Sequence, residues 1–352
     1  MKPIRFAFIG CGAVAGKHAV ALSRLPDAQV VGAYDVNPQA AKELSEKHGI
    51  TAFDSIEEMF QKASPDVFVI LTPSGDHCKT ILKLAPLGRD FVVEKPLGLT
   101  LEDIDAALKE CDSRGLKIFV VKQNRFNPPL RKLKEALEAG RFGRLVLGAV
   151  RVRWKRDQAY YDQKPWRGTW AYDGGVITNQ ASHHIDALLW MMGEVQSVVA
   201  MTATRLVNIE VEDTAVAILK FRNGALGVIE ATTATRPKDL EGSLSVLGEK
   251  GSVEVGGFFM NELKVWNFAE YHPMDSQVWD RYAKVPQEPA WNHTEFYRDV
   301  LQCIRQGKKA LIDGLEGRKS IELINAIYES AETGREVPLR FMPRKCRLGR
   351  AE

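Results

Sequence analysis

The stretch Ile4–Gly16, IRFAFIGCGAVAG, decides the fold. A short apolar run with the composition of a buried strand leads into Gly10, Gly12 and Ala15, spaced as G-x-G-x-x-G/A. That spacing allows a tight turn, a close approach of backbone to a pyrophosphate, and close packing of a helix on the strand. Alone it is a weak signal. Its weight comes from position: it follows a first strand, opens a helix whose N-terminus suits an anion, and precedes Asp35 at the end of a second strand, AQVVGAYD. A carboxylate there accepts hydrogen bonds from ribose hydroxyls and repels a 2′-phosphate, so the expected ligand is NAD rather than NADP. The competing reading makes the glycines ordinary turn residues and Asp35 a cap on the helix that follows.

Working outward, three more short apolar runs follow, VFVILTP, DFVVEKP and KIFVVKQ, separated by helical patterns such as PQAAKELSEKHG, HCKTILKLAPLG and TLEDIDAALKECDSRG. Thr100 stands as N-cap of the last helix, with Asp103 at its third position. Strand–helix alternation of this kind predicts a doubly wound parallel sheet, a Rossmann domain over residues 1–122. Beyond Pro128 and Pro129 the pattern changes to one helix and then long strands with period-two alternation, and Asn223-Gly224 and Glu249-Lys250-Gly251 mark turns between them. This predicts an α+β domain with a large, mainly antiparallel sheet over 123–341. Two amphipathic helices, HTEFYRDVLQCIRQG and GRKSIELINAIYESAETG, end at glycines, and a basic tail, 342–352, reads as a solvated extension.

Composition narrows the function. The 352 residues are 45% hydrophobic and 26% charged, with a net charge of +3, which gives nucleic-acid binding no support. No apolar run reaches the roughly 20 residues that span a bilayer, and the N-terminus enters a strand directly, so no membrane association and a cytoplasmic location are expected. The five cysteines are scattered and contain no C-x-x-C pair, and are expected to be reduced and mostly buried.

Other residues gather at strand ends. LTPSGDH places Thr72, Pro73 and His77 beside the crevice where an open α/β sheet binds ligands, His77 either capping the next helix or lying against the cofactor. In VVEKPLGLT a glutamate, a lysine and a proline end a core strand, and Pro96 keeps Lys95 out of the helical region. A surface ion pair of Glu94 with Lys95 is the plain alternative. Further on, WRGTWAYDGGVITNQASHHIDALLW holds Asn179 and His183 four apart, one helical turn, so both can face one site. A metal reading of His183, His184 and Asp186 is weaker, because adjacent histidines diverge; no metal is expected. Gln123, Asn124 and Arg125 leave the fifth strand, and Arg156 ends a later one with Tyr160 and Tyr161 beyond it. Arg151, Arg153 and Lys155 share a face that reads as solvated, which leaves Arg156 the better anion ligand. His293 and Tyr297 fit a substrate role no better than a helix cap and a core aromatic.

The ordered set GCGAVAG, LTPSGDH, EKP and the glycine-pair segment with its histidine resembles the Gfo/Idh/MocA oxidoreductases across the chain apart from the tail. VVKQNRFN, WRGTWAYDGGVITNQASHHID, IEVEDT and LEGSLSVLGEKGSVEVGG resemble more narrowly the WlbA-type UDP-N-acetyl-glucosaminuronic acid 3-dehydrogenases. Such enzymes oxidise the sugar C3 hydroxyl to a ketone on a route to surface polysaccharide (lipopolysaccharide). The resemblance implies a tetramer whose sheets meet, with Lys95 and His183 as the catalytic pair. It also implies a nucleotide site that includes Gly10, Gly12, Ala13, Val14, Ala15, Asp35, Thr72, Pro73, His77, Glu94, Lys95, Trp166 and Arg167. Substrate would be held by Gln123, Asn124, Arg125, Arg156, Asn179 and His183. Most of the wider family has aspartate where this chain has Asn179, which removes a charged partner for an imidazolium.

Loss of hydride from C3 requires the hydroxyl proton to leave. The expected base is His183, with a pKa of about 6.5 when unperturbed, and Lys95 donates to the developing oxygen charge; the reverse assignment stays open. A UDP-sugar acid is the expected substrate, and 2-oxoglutarate a hydride acceptor in similar enzymes. Two rivals remain: a dehydrogenase of inositol or a free sugar, and an NAD-binding sensor without turnover.

Overall fold

The computed structural model describes residues 2–339 and 346–349. In it β1 (Ile4–Ile9) leads to α1 (Ala15–Ser23), β2 (Ala28–Tyr34), α2 (Pro38–His48), α3 (Ile56–Ala63), β3 (Val67–Ile70) and α4 (His77–Leu84). Then come β4 (Asp90–Val93), α5 (Leu101–Ser113) and β5 (Ile118–Val120). All five strands pair in parallel in the order β2-β1-β3-β4-β5. Strand β3 is buried along its whole length and β4 from Phe91 to Val93, as a sheet covered on both faces requires. The strand order reverses between β1 and β3, and that is where such a sheet opens a crevice at its carboxyl edge.

Helix boundaries follow the capping chemistry. Asn37 caps α2 by accepting from the Gln39 N–H, Pro38 follows at the first helical position, and Gly49 closes the helix in the left-handed region. Thr100 Oγ1 accepts from the Asp103 N–H at 3.1 Å and donates to its carboxylate at 2.6 Å, as its spacing predicts. Helix α3 was not anticipated, although Ser55 followed by Glu58 carries an S-x-x-E start signal; the Ser55 hydroxyl accepts from the Glu58 N–H at 3.1 Å.

The later half begins with α6 (Pro128–Glu138), β6 (Leu145–Arg153), α7 (Gln158–Asp162) and α8 (Ser182–Met192). Strands β7 (Val195–Ala203), β8 (Thr214–Phe221), β9 (Leu226–Thr232), β10 (Glu241–Gly248), β11 (Gly251–Gly256) and β12 (Glu262–Phe268) follow. Last come α9 (Trp291–Gln306), α10 (Gly314–Thr333) and β13 (Val337–Pro338). The eight-stranded sheet runs β12-β11-β10-β6-β9-β8-β7-β13, antiparallel except for the parallel β6–β9 pair. Helix α8 covers one face so closely that a Cβ on Gly148 would lie 2.6 Å from Met192 and 2.8 Å from Leu188. The other face carries Val199, Met201, Val216, Ile218 and Leu226, all exposed, with Met201 opposite Val216 and Val199 opposite Ile218.

The chain forms two units: Met1–Gln123 with Pro286–Arg318, and Asn124–Val285 with Lys319–Glu352. Segment 286–318, placed by the sequence pattern in the second domain, thus joins the first. There the Tyr297 ring meets Phe6 edge-on at 5.5 Å, and Arg305 and Glu288 pair with Asp27 and Arg24. The tail also differs from a solvated extension. Cys346 and Leu348 are buried in the second unit, and the Gly349 N–H donates to the Trp170 carbonyl at 2.8 Å, because apolar residues interrupt the basic ones. Residues 340–345 and 350–352, the rest of that region, lie outside the described residues. All five cysteines are free and buried, and among the described residues no helix is long and apolar enough to cross a membrane.

Candidate active site

The glycine-rich loop is shaped at its two ends in opposite ways. At Gly10, φ is +101° and a Cβ would lie 2.7 Å from the Leu71 carbonyl group at the end of β3, so only glycine fits. At Gly12 a Cβ would meet nothing within 4 Å, which leaves the backbone open to a close ligand. Ala15 is fully buried where α1 starts, and the N-cap residue, Val14, provides no side-chain cap. No side-chain cap therefore covers the N-terminus of α1, where the Ala15 and Lys17 N–H groups donate to the Gly12 and Val14 carbonyls and Ala13 and Val14 lie in the loop above. Asp35 orders this loop: Oδ2 accepts from the Cys11 N–H at 2.7 Å and Oδ1 from the Asn37 N–H at 2.8 Å. Its carboxylate keeps lone pairs for ribose hydroxyls. Replacing Asp35 by alanine removes both functions and is expected to raise the KM for NAD about tenfold or more, measured by initial rates.

Thr72 Oγ1 is buried at the same sheet edge, beside Pro73, with no hydrogen-bond partner. His77 neither caps α4 through its side chain nor stands free in the crevice. Its Nδ1 lies 2.7 Å from the Pro96 carbonyl and its Nε2 2.8 Å from the Thr72 carbonyl, so a neutral ring donates to one strand-end turn and packs against the other. Burial pushes its pKa down, against the pull of the two carbonyls.

Glu94 is not half of a surface pair with Lys95. It is 9% exposed; Oε1 lies 3.0 Å from His18 Nε2, and Oε2 accepts from the Lys95 N–H at 3.0 Å. Burial alone raises its pKa, but the hydrogen bond from His18, with the Lys95 ammonium adding to it, holds it down. His18 Nδ1 meets the Tyr297 hydroxyl at 2.7 Å. His18, Glu94 and His293 bring ligand atoms within 4.8 Å of one another, yet both His18 nitrogens are already hydrogen-bonded, which accounts for the cluster without an ion. His293 and Tyr297 therefore sit in the first unit as core partners of α1. The Lys95–Pro96 peptide is cis, and Lys95 is half-buried.

In the second unit, α8 begins at Ser182, so Asn179 lies in the turn before it and the two residues do not share a helix. His183 stands half-buried in the first turn of α8. Asn179 Nδ2 donates to the buried Asp173, whose Oδ2 accepts from the Gly168 N–H at 2.9 Å. Asp173 is a residue that the sequence pattern inside WAYDGG did not single out; its carboxylate lies one hydrogen bond behind the Asn179 amide. Also missed was Glu212, 3% exposed, which accepts from the Ile177 N–H and the Tyr328 hydroxyl, both at 3.0 Å. A Cβ on Gly175 would lie 2.2 Å from that carboxyl, which explains the second glycine of the pair, while Gly174 has φ +71°. His184 is buried with its ring edge-on to Trp154, and burial takes it down to about 3. Asp186 and Arg125 form a bidentate pair, 2.8 Å at each contact and 3% exposed on both sides. That pairing commits Arg125 to structure, and losing one partner would cost about 3–5 kcal/mol. Asn124 is buried in the same turn, and Gln123 closes the first unit just before it.

Arg156 lies in a cluster of aromatic rings and cations. Its guanidinium is 5.2 Å from the Tyr160 ring and 5.4 Å from Trp154, while Arg167 lies 4.2 Å from the Tyr160 ring and 5.8 Å from Trp166. Trp154 Nε1, Thr235 Oγ1 and Arg167 Nε are buried there without hydrogen-bond partners. Arg156 also reaches Asp239 at 3.5 Å, while Arg153 is held by Glu230 and Glu241, Arg151 by Glu241, and Lys155 by Asp157.

A glycine cradle on the first strand of a parallel sheet, joined to a second, mainly antiparallel domain, defines an NAD-dependent oxidoreductase of the two-domain class. Residues 4–122 match the oxidoreductase-family NAD-binding Rossmann fold, and residues 134–339 the C-terminal alpha/beta domain of the same family. The chain belongs to the Gfo/Idh/MocA oxidoreductase family. It is 41% identical to the WlbA dehydrogenase from Bordetella pertussis, crystallised with NADH and UDP-GlcNAcA, over 96% of this chain and 98% of that one, with a TM-score of 0.90. The WlbA dehydrogenase from Chromobacterium violaceum, also with NADH and UDP-GlcNAcA, is 42% identical over 97% of each chain, TM-score 0.90. A myo-inositol 2-dehydrogenase from Thermotoga maritima is 25% identical over 96% of this chain and 98% of its own.

Proposed function

We propose that this protein oxidises the C3 hydroxyl of UDP-N-acetyl-glucosaminuronic acid to the 3-keto sugar in the cytoplasm, on a route to surface polysaccharide. The observation that carries this reading is the likeness, above 40% along nearly the whole chain, to two dehydrogenases crystallised with that sugar nucleotide. The Arg156–Tyr160–Arg167 cluster supports it: two guanidiniums beside one aromatic ring, with buried donors lacking partners, suit a diphosphate and a base. Five free, buried cysteines suit a reducing compartment.

The loop from Gly10 to Ala15, Asp35, Thr72 and Pro73 would hold NAD, which supplies the hydride acceptor. His183 takes the C3 hydroxyl proton while Lys95 donates to the oxygen as charge develops on it. Asn179, held by Asp173, orients substrate at the start of α8. Arg156 and Arg167 bind the diphosphate.

Mixing the enzyme with NAD and either UDP-GlcNAcA or myo-inositol, and following NADH absorbance, tests the substrate. Reduction is expected with the sugar nucleotide and not with the polyol; the opposite result assigns the chain to the inositol dehydrogenases it resembles at 25% identity. Adding 2-oxoglutarate then tests whether it reoxidises the bound NADH.

The exposed apolar residues of the eight-stranded sheet support assembly into a tetramer, since a second sheet could cover them. Ile218→Arg places a charge among them. It is expected to shift the assembly to a smaller species by light scattering; an unchanged mass would count against sheet-to-sheet assembly.

A further inference from the structure

We propose that the hydrogen-bonded chain Tyr297–His18–Glu94 is a positioning device that holds the backbone of Lys95 from beneath; the inference rests on the reading of Lys95 as a catalytic residue. Three of its features go beyond ordinary core packing. The first is saturation: each Glu94 oxygen is used once, Oε1 by His18 at 3.0 Å and Oε2 by the Lys95 N–H at 3.0 Å. A carboxylate, with no proton of its own, is the group that can accept from both.

The second is direction. With the proton of His18 on Nε2, that nitrogen donates to Glu94 and Nδ1 accepts from the Tyr297 O–H, so every link has one donor and one acceptor. The third is enclosure. His18 and Tyr297 are both 0% exposed, Phe8 and His293 lie edge-on to the His18 ring at 6.4 and 5.3 Å, and Phe6 meets Tyr297 at 5.5 Å. Buried hydrogen bonds with no competing water hold geometry strongly. His18 also belongs to α1, the helix that opens at the glycine cradle, so one imidazole ties the cofactor helix to the lysine turn. Glu94 is accordingly a residue that acts through Lys95 and not by touching the nucleotide.

Substitutions at 94 separate geometry from charge. In Glu94→Ala the Lys95 N–H loses its acceptor. Exchange of that amide is expected to rise about tenfold or more, and hydride transfer to slow about a hundredfold, while the Kd for NAD changes less than about threefold. Glu94→Gln keeps the shape. Its amide oxygen accepts from Lys95 and its NH2 donates to His18, whose other nitrogen then donates to the Tyr297 oxygen: the chain runs in reverse, and hydride transfer is expected to recover to within about tenfold of native. Combining it with Tyr297→Phe leaves the reversed chain without its last acceptor, so the double variant is expected to lose more than the two single losses together. Should Glu94→Ala fail to fold, this near-isosteric pair carries the test.

Native exchange at Lys95 and hydride transfer within twofold in folded Glu94→Ala would overturn the proposal, as would strict additivity in the Gln/Phe pair. Faster exchange with unchanged turnover would uphold the positioning and remove Lys95 from the chemistry instead.

Discussion

Replacing Lys95 by methionine is expected to lower turnover by about a thousandfold or more while NAD binding stays within a few-fold. The ammonium is proposed to stabilise charge on the reacting oxygen, an interaction made most strongly in the transition state, so its loss appears in kcat rather than in KM. Methionine keeps the length of the aliphatic stem, so the turn ending in Pro96 stays packed. His183→Asn is expected to cost a similar factor, because an amide at the start of α8 hydrogen-bonds but takes no proton. The double variant distinguishes cooperation from independence: if both side chains serve one proton-coupled event, combining the changes costs little more than either alone. Pre-steady-state absorbance of NADH is the measurement. A first turnover near the native rate in either single variant would remove that residue from the mechanism.

Glu212 gives the second large effect, on stability. Burial, with the neighbouring Asp173 charge adding to it, lifts its pKa from 4.5 to about 7, against the pull of its hydrogen bonds from Ile177 and Tyr328. Between those values the folded protein holds a proton that the unfolded chain has released. The resulting stabilisation is full below pH 4.5 and is lost as pH rises to about 7, amounting to about 3 kcal/mol. Glu212→Gln has no proton to lose. Urea unfolding at pH 4.5 and 8 is expected to show native stability falling by about 3 kcal/mol more than that of the variant. Parallel pH dependence in the two proteins would show that Glu212 does not carry this term.

The first half of the fold was legible because its signals are local. Gly10, Gly12, Ala15 and Asp35 state a turn, a close approach and a partner within 35 residues, and the five parallel strands follow from short apolar runs between helical patterns. Helix α3 was legible too, from Ser55 and Glu58, but went unread. The site residues that escaped depend on contacts between distant positions. Nothing in the sequence near Glu94 says that its carboxylate meets His18, 76 residues away, or that His18 meets Tyr297, 279 residues away. Spacing misled at Asn179, because a four-residue interval means one helical face only inside a helix, and α8 starts at Ser182. Asp173 and Arg125 show the same limit: their chemistry is visible in sequence, but whether a charged group is spent internally depends on burial and partners.

One consequence follows from segment 286–318 returning to the first unit. The nucleotide-binding half is not a module that can be cut out at residue 123. A fragment ending there would lack α9, leaving Phe6 without its Tyr297 neighbour and His18 without its hydroxyl partner. Gene fusion or domain exchange in this architecture must therefore transplant two stretches of chain at once, which makes the cofactor half hard to swap between substrate halves by a single recombination event.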